Sequence, residues 1–191
     1  VYAWGYDSRN RLTSYGSLAE GTTNYGYDER GQLETVDRIG TDHDETYTYD
    51  ANGNRLGADS NAAGDATYVT GAGNRLLSDG TYTYEYDDEG NRTAREHIAT
   101  GARDEYRWDF RNRLTEIVQK DGEGDTVMRT EYEYDAFEHR TARRIYVTDS
   151  FGAESLSFER RYLYDGNNLL AEFENTGDLA IAYLVIGGQT Y

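Results

Sequence analysis

Residues 49–56 read YDANGNRL, with near-copies at 6–12 (YDSRNRL), 27–33 (YDERGQL) and 86–93 (YDDEGNRT). An internal repeat decides an architecture before any single motif does. Extending the match defines eight units starting at Tyr6, Tyr27, Tyr49, Val69, Tyr86, Trp108, Tyr134 and Tyr164, in steps of 21, 22, 20, 17, 22, 26 and 30 residues. Seven open with an aromatic residue followed by Asp. The Val69 unit, VTGAGNRLL, keeps only the second half of the pattern.

The residue three after the Asp is the informative one: Asn10, Gly31, Gly53, Gly73, Gly90, Asn112, Glu138 and Asn168. Seven of these eight are Gly or Asn, the two types that best tolerate positive φ. Asp7, Asp28, Asp50, Asp87, Asp109, Asp135 and Asp165 take the first turn position, where a short carboxylate accepts nearby backbone N–H groups. Together these features predict a type I turn closed by a left-handed residue, the three-residue hairpin connection with a bulge. Glu138 breaks the rule and predicts strain or a longer loop there.

Residues alternate with period two ahead of the turns: TYTYD at 46–50, TYTYEYD at 81–87, EYEYD at 131–135 and RYLYD at 161–165. Period two is the strand signature, and it puts Tyr47 and Tyr49 on one sheet face. A step near 21 residues holds two strands of five or six residues and two turns, so each unit reads as one β-hairpin. Lone hairpins are barely stable, so the units must pair edge to edge. The expected fold is all-β: consecutive antiparallel hairpins forming a curved or spiralling sheet, with a helical turn allowed only near 17–20. Tyr6, Tyr27, Tyr49, Tyr86, Trp108, Tyr134 and Tyr164 then form the structural rungs, with Arg stacked on or beside them.

The chain has 191 residues, enough to bury a core, and is read as a single array over 1–191. It starts at Val1 without a signal-peptide pattern, which reads as a processed chain or a fragment of a larger protein. Its longest apolar run, AIAYLVI at 180–186, is far below the roughly 20 residues needed to cross a bilayer, so no membrane insertion is expected. The formal net charge is −17, which opposes binding to nucleic acid or anionic membrane. There is no Cys for disulfides or thiolate metal sites, and no Pro, which fits a backbone committed to ladders. The basic residues are 18 Arg and one Lys, Lys120; planar guanidinium groups suit a chain rich in Tyr and Asp.

The YDxxGNR and YDxxGxL units, the WDFRNRLTEI segment from Trp108 and the closing YLYDGNNLLAEFENTGDLAIAYLVIGG from Tyr162 resemble the YD-repeat, or RHS-repeat, family, over nearly the whole chain. The resemblance implies a long sheet spiralling into a hollow shell. In bacterial RHS proteins and Tc toxins such a shell encloses a C-terminal toxin; in teneurins it belongs to an extracellular adhesion protein. The family's self-cleavage motif PxxxxDPxGL needs Pro, which this chain lacks, so no cleavage residue is carried over.

Catalytic chemistry finds little footing. No Cys and no GxSxG surround a nucleophile, and His43, His97 and His139 lack zinc-ligand spacing. The acidic run DGEGD at 121–125 alternates carboxylates as a calcium loop begins, but lacks the later EF-hand positions. No catalytic, cofactor or metal residue is assigned, and no enzyme is expected. The expected role is a structural repeat module of a secreted or cell-surface protein. Its expected partners are neighbouring YD repeats or other copies at exposed sheet edges, and an enclosed toxin cargo. The alternative is an adhesion module holding cell-surface glycans.

Overall fold

The computed structural model describes residues 2–19, 21–41, 43–60 and 64–183, and the backbone of 185–186 and 189–190. The chain divides into two units, Val1–Thr83 and Tyr84–Tyr191. In the first, β1 (Tyr2–Tyr6), β2 (Leu12–Ser17), β3 (Gly21–Tyr27), β4 (Leu33–Arg38), β5 (Glu45–Tyr49), β6 (Arg55–Ser60) and β7 (Ala66–Thr67) form one antiparallel sheet in chain order. The short pair β8 (Val69–Thr70) and β9 (Leu76–Ser78) follows, and the boundary falls inside β10 (Tyr82–Tyr86). The second unit continues with β11 (Arg92–His97), β12 (Arg103–Trp108), β13 (Leu114–Lys120), β14 (Thr126–Tyr134), β15 (Arg140–Thr148), β16 (Glu154–Asp165), β17 (Asn168–Glu174) and β18 (Leu179–Ala182), each beside the next. β19 (Val185–Ile186) and β20 (Gln189–Thr190) make a separate hairpin. The fold is all-β and built of consecutive antiparallel hairpins, as the repeat predicts.

The longer repeat steps go into strand length. β14 and β15 run nine residues and β16 twelve, beyond the five or six expected. Near 17–20 no helix forms: Ser17 ends β2 and residues 18–19 turn, while Glu20 lies outside the described residues.

Register shifts recur at the aromatic of a unit, between Gly5 and Tyr6, Gly26 and Tyr27, Thr48 and Tyr49, Arg107 and Trp108, Glu133 and Tyr134, and Leu163 and Tyr164. A bulge there lets a three-residue connection close without splaying the strands.

Apolar burial is slight. Among the described residues the buried apolar side chains are Val36, Ala94, Val118, Ala142 and Ala171. Cohesion comes from rows of side chains lying across neighbouring strands. In the second unit, register aligns Tyr106, Ile117, Thr130, Ile145 and Phe158 on one face. The opposite face carries the row Arg107, Glu116, Glu131, Arg144 and Glu159. There Arg144 Nε donates to Glu159 Oε1 at 2.8 Å, and Arg129 Nε donates to Glu154 Oε1 at 2.8 Å. Arg103 grips Glu85 with two bonds of 2.8 Å, and this two-pronged contact is the main cause that pushes its pKa further above the ordinary arginine value.

Candidate functional site

The repeated corner is the site that the sequence singles out, and its geometry starts with the Asp. Asp50 Oδ1 accepts the backbone N–H groups of Asn52 and Asn54, both at 2.8 Å, while the Asp50 N–H donates to Asn54 O at 2.9 Å. Asp7, Asp109 and Asp135 hold the N–H groups two and four residues ahead in the same way. Such side-chain turns form because the short carboxylate reaches its own backbone. The closing residue has positive φ at Asn10 (60°), Gly31 (88°), Gly53 (91°), Gly90 (93°), Asn112 (58°) and Glu138 (73°). At Glu138 the loop is no longer than elsewhere, since Asp135 N–H still donates to His139 O at 3.0 Å; a non-Gly residue simply bears the left-handed conformation.

Two turn positions differ from the sequence reading. Asn168 does not close a turn: it is the first residue of β17 and pairs directly with Asp165, the last residue of β16. The loop is only Gly166–Asn167 in length, and Gly166 takes the positive φ, 55°. Gly at the first of two central positions suits a two-residue hairpin, which lets both strands extend one step further. In the Val69 unit the frame lies one residue later. Gly71 N–H donates to Arg75 O at 2.8 Å, so Gly71 takes the place of the Asp and Thr70 that of the aromatic. Gly73 has φ 69°, and Asn74 at 57° fills the closing slot.

The second oxygen of the Asp binds a side chain that the sequence reading missed, four residues on. Arg11 Nε donates to Asp7 Oδ2 at 2.7 Å, Asn54 Nδ2 to Asp50 Oδ2 at 2.9 Å, Asn91 Nδ2 to Asp87 Oδ2 at 3.0 Å and Arg113 Nε to Asp109 Oδ2 at 2.8 Å. The same side chain then reaches the next turn. Gln32 Nε2 donates to Gly53 O at 3.3 Å, Asn54 Nδ2 to Asn74 Oδ1 at 3.1 Å, Asn91 Nδ2 to Asn112 Oδ1 at 2.9 Å and Arg113 Nη1 to Asp135 O at 3.1 Å. The legible signal is a planar donor at that position in successive units: Arg11, Gln32, Asn54, Asn91, Arg113 and His139.

The aromatic reaches backwards. Tyr27 Oη donates to Leu12 O at 2.8 Å, Tyr49 Oη to Leu33 O at 2.7 Å, Trp108 Nε1 to Arg92 O at 2.8 Å and Tyr134 Oη to Leu114 O at 2.8 Å. Each acceptor lies five residues after the Asp of the preceding unit. Meanwhile the preceding unit's planar side chain covers the ring: the Arg11 guanidinium lies 4.5 Å from the Tyr27 centroid and that of Arg113 4.7 Å from Tyr134. Three joints, from the Tyr27 unit to the Tyr49 unit, from the Tyr86 unit to the Trp108 unit and from the Trp108 unit to the Tyr134 unit, are therefore keyed by both a forward donor and a backward hook. Tyr6 sits in β1 with 58% of its surface exposed, and Tyr86 and Tyr164 end β10 and precede the last residue of β16.

The bonds also set the charges. The Asn54 side chain and N–H hold Asp50 below the usual carboxylate range, and Arg113 does the same for Asp109. At Asp7 the Arg11 N–H is the largest cause of a lowered value. The acidic DGEGD segment is another turn of this design, with Asp121 Oδ1 accepting the Glu123 and Asp125 N–H groups at 3.0 Å and Gly124 at φ 93°. A further copy stands at Asp149, whose Oδ1 holds the Phe151 and Ala153 N–H groups at 2.9 Å. His43 lends its carbonyl to Arg38, and the His97 ring accepts the Ala99 N–H at 3.2 Å. Among the described residues no three of His, Asp and Glu gather to hold a metal.

A model of the teneurin YD-shell family matches residues 3–153. The chain is 28% identical over 180 residues to double-stranded DNA deaminase toxin A of Burkholderia cenocepacia (strain H111), a match covering 94% of this chain and 12% of that protein. The crystal structure of TcdB2-TccC3-TEV superposes with a TM-score of 0.63 at 12% identity, over 98% of this chain and 13% of that one. That of TcdB2-TccC3-Cdc42 gives 0.51 at 15% identity, over 97% and 10%. At these identities the two structures show a shared fold, and the chain spans a small part of each relative's length.

Proposed function

The chain belongs to the teneurin YD-shell family, and from that premise we propose that it is a wall segment of a secreted or cell-surface shell enclosing a C-terminal toxin. The observation that supports this reading is the keyed corner. Where the aromatic and the planar donor recur together, they join one hairpin to the next, as a wall requires. Both units are read as consecutive parts of one repeat array, and the turn and rung residues as scaffold. The likeness to a deaminase toxin of B. cenocepacia over 94% of this chain supports a toxin as cargo, since that protein's name is that of a toxin. Partners on this reading are further YD repeats along the sheet edges and the cargo itself.

Limited proteolysis of the full-length parent protein tests the proposal. The expected outcome is a C-terminal region that resists protease while the shell is intact and is digested once urea opens it. A C-terminal region digested as fast in the intact protein as in the opened one would overturn encapsulation. Binding of wild-type protein on a glycan array would instead favour the adhesion reading.

A further inference from the structure

One seam in the second unit is closed by a group that titrates. At the equivalent position Asn54 and Asn91 each place one amide nitrogen between two oxygens: Asp50 Oδ2 at 2.9 Å and Asn74 Oδ1 at 3.1 Å, and Asp87 Oδ2 at 3.0 Å and Asn112 Oδ1 at 2.9 Å. An NH2 group carries two hydrogens and satisfies both at any pH. His139 spans the same pair of acceptors. Its Nδ1 lies 3.0 Å from Asp135 Oδ2 and its Nε2 3.2 Å from Asn167 Oδ1. The ring is fixed in that orientation by Tyr164, stacked at 4.7 Å with 15° between planes. A neutral imidazole has one N–H and cannot donate to both oxygens; the imidazolium can.

We propose that His139 is a proton-operated clasp between the turn at 135–138 and the loop at 166–167, closed on both sides when the ring carries two protons and released on one side when it loses one. The clasp is a property of the chain and stands whether or not the wall encloses cargo.

The charged and titratable neighbours bear on this. On its own hairpin the ring meets the Asp135 carboxylate and is flanked in sequence by Glu138 and Arg140. From the preceding turn, Arg113 and Arg111 donate to the backbone carbonyls of Asp135 and Ala136 at 3.1 and 3.3 Å. From the following hairpin come the Tyr164 ring, Asp165 beside it, and Tyr162, over which Arg140 lies at 5.0 Å. The bond to Asp135, then that to Asn167, raises the His139 pKa above its ordinary 6.5 against the opposing effect of burial. For Asp135 burial works upward, but the N–H and ring of His139 and the N–H of Phe137 hold it below its ordinary 3.8. A raised histidine contributes stability that is complete below its unfolded pKa and is lost as pH rises through the folded value. A lowered carboxylate loses its contribution only as pH falls through its own folded value. The clasp is thus fully closed between the ordinary carboxylate value of 3.8 and the ordinary histidine value of 6.5, and opens as pH rises through the raised histidine pKa.

Nuclear magnetic resonance titration of the His139 ring in the whole chain is the test, with the same ring in the urea-unfolded chain as reference. The expected result is a folded-state midpoint above 6.5 and above that of the unfolded chain. Amide protection at 166–169, corrected for the intrinsic base-catalysed rate, should fall severalfold across that midpoint. His139→Asn should keep the protection and abolish its pH dependence, because it restores the amide bridge of Asn54 and Asn91. Asn167→Ala, in an exposed loop, should shift the midpoint down. A wild-type His139 that titrates at or below its value in the unfolded chain, or protection that is flat across the midpoint, would overturn the clasp. So would a His139→Asn chain with the wild-type pH dependence.

Discussion

The turns at 109–112 and 121–124 lie at opposite ends of β13 and have the same backbone. Asp109 N–H donates to Arg113 O and Asp121 N–H to Asp125 O, both at 3.0 Å. Each Oδ1 caps two further N–H groups, and each turn closes on a positive φ, 58° at Asn112 and 93° at Gly124. The fifth residue separates them. Arg113 fills Asp109 Oδ2, reaches Asp135 O and covers Tyr134, whereas Asp125 adds a second carboxylate beside Asp121. Asp-x-x-Gly thus makes a corner anywhere, but only with a planar donor after it and an aromatic on the next unit does the corner become a seam. The difference lies in two side chains rather than in the fold of the turn.

Three pairs of substitutions probe that contrast. The largest effect is expected from the backbone, which corners with and without a seam share. Gly90 and Gly124 both have φ 93°, so Gly90→Val and Gly124→Val should each cost about 2 kcal/mol in urea unfolding. A cost confined to one of the two glycines would show that a seam corner, as at Gly90, and a plain corner, as at Gly124, do not share one backbone. Next, Asp109→Ala should lower Tm more than Asp121→Ala, since it removes the same two backbone bonds and also strands Arg113. Equal losses would mean that the seam adds nothing to the turn. The smallest effect is expected from Tyr134→Phe, which deletes one hydroxyl bond to Leu114 O and should cost about 1 kcal/mol. The comparison is Tyr132→Phe, on the same strand and under Arg140, where little change is expected. A loss at Tyr132 as large as at Tyr134 would assign the effect to ring packing instead of the hook.

The corner was legible because its physics is local. The Asp, its two N–H partners and the closing Gly or Asn fall within five residues, so spacing alone reports the turn. The reading slipped where two local solutions compete. In the stretch Asp165 to Asn168, Gly166 and Asn168 both tolerate positive φ, and the pairing of Leu163 with Ala171 selects the shorter loop. At Val69 the missing aromatic–Asp pair left Gly73 and Asn74 as rival closers, and the bond from Gly71 to Arg75 sets the frame. His139, whose spacing from the other histidines suits no zinc site, occupies the bridging position.

The sequence by itself determined the hairpins, the direction of alternation and, outside the Val69 and Tyr164 units, the repeat frame and the positions needing positive φ, all of which depend on contacts between near neighbours in the chain. The tertiary structure decided which side chain joins which unit. The donor at Arg113 and its acceptor at Asp135 are 22 residues apart, and the other keyed partners lie between 15 and 28 residues apart. Such a bond exists only once two turns lie side by side, and side-by-side placement follows from strand pairing, which no short stretch of sequence contains.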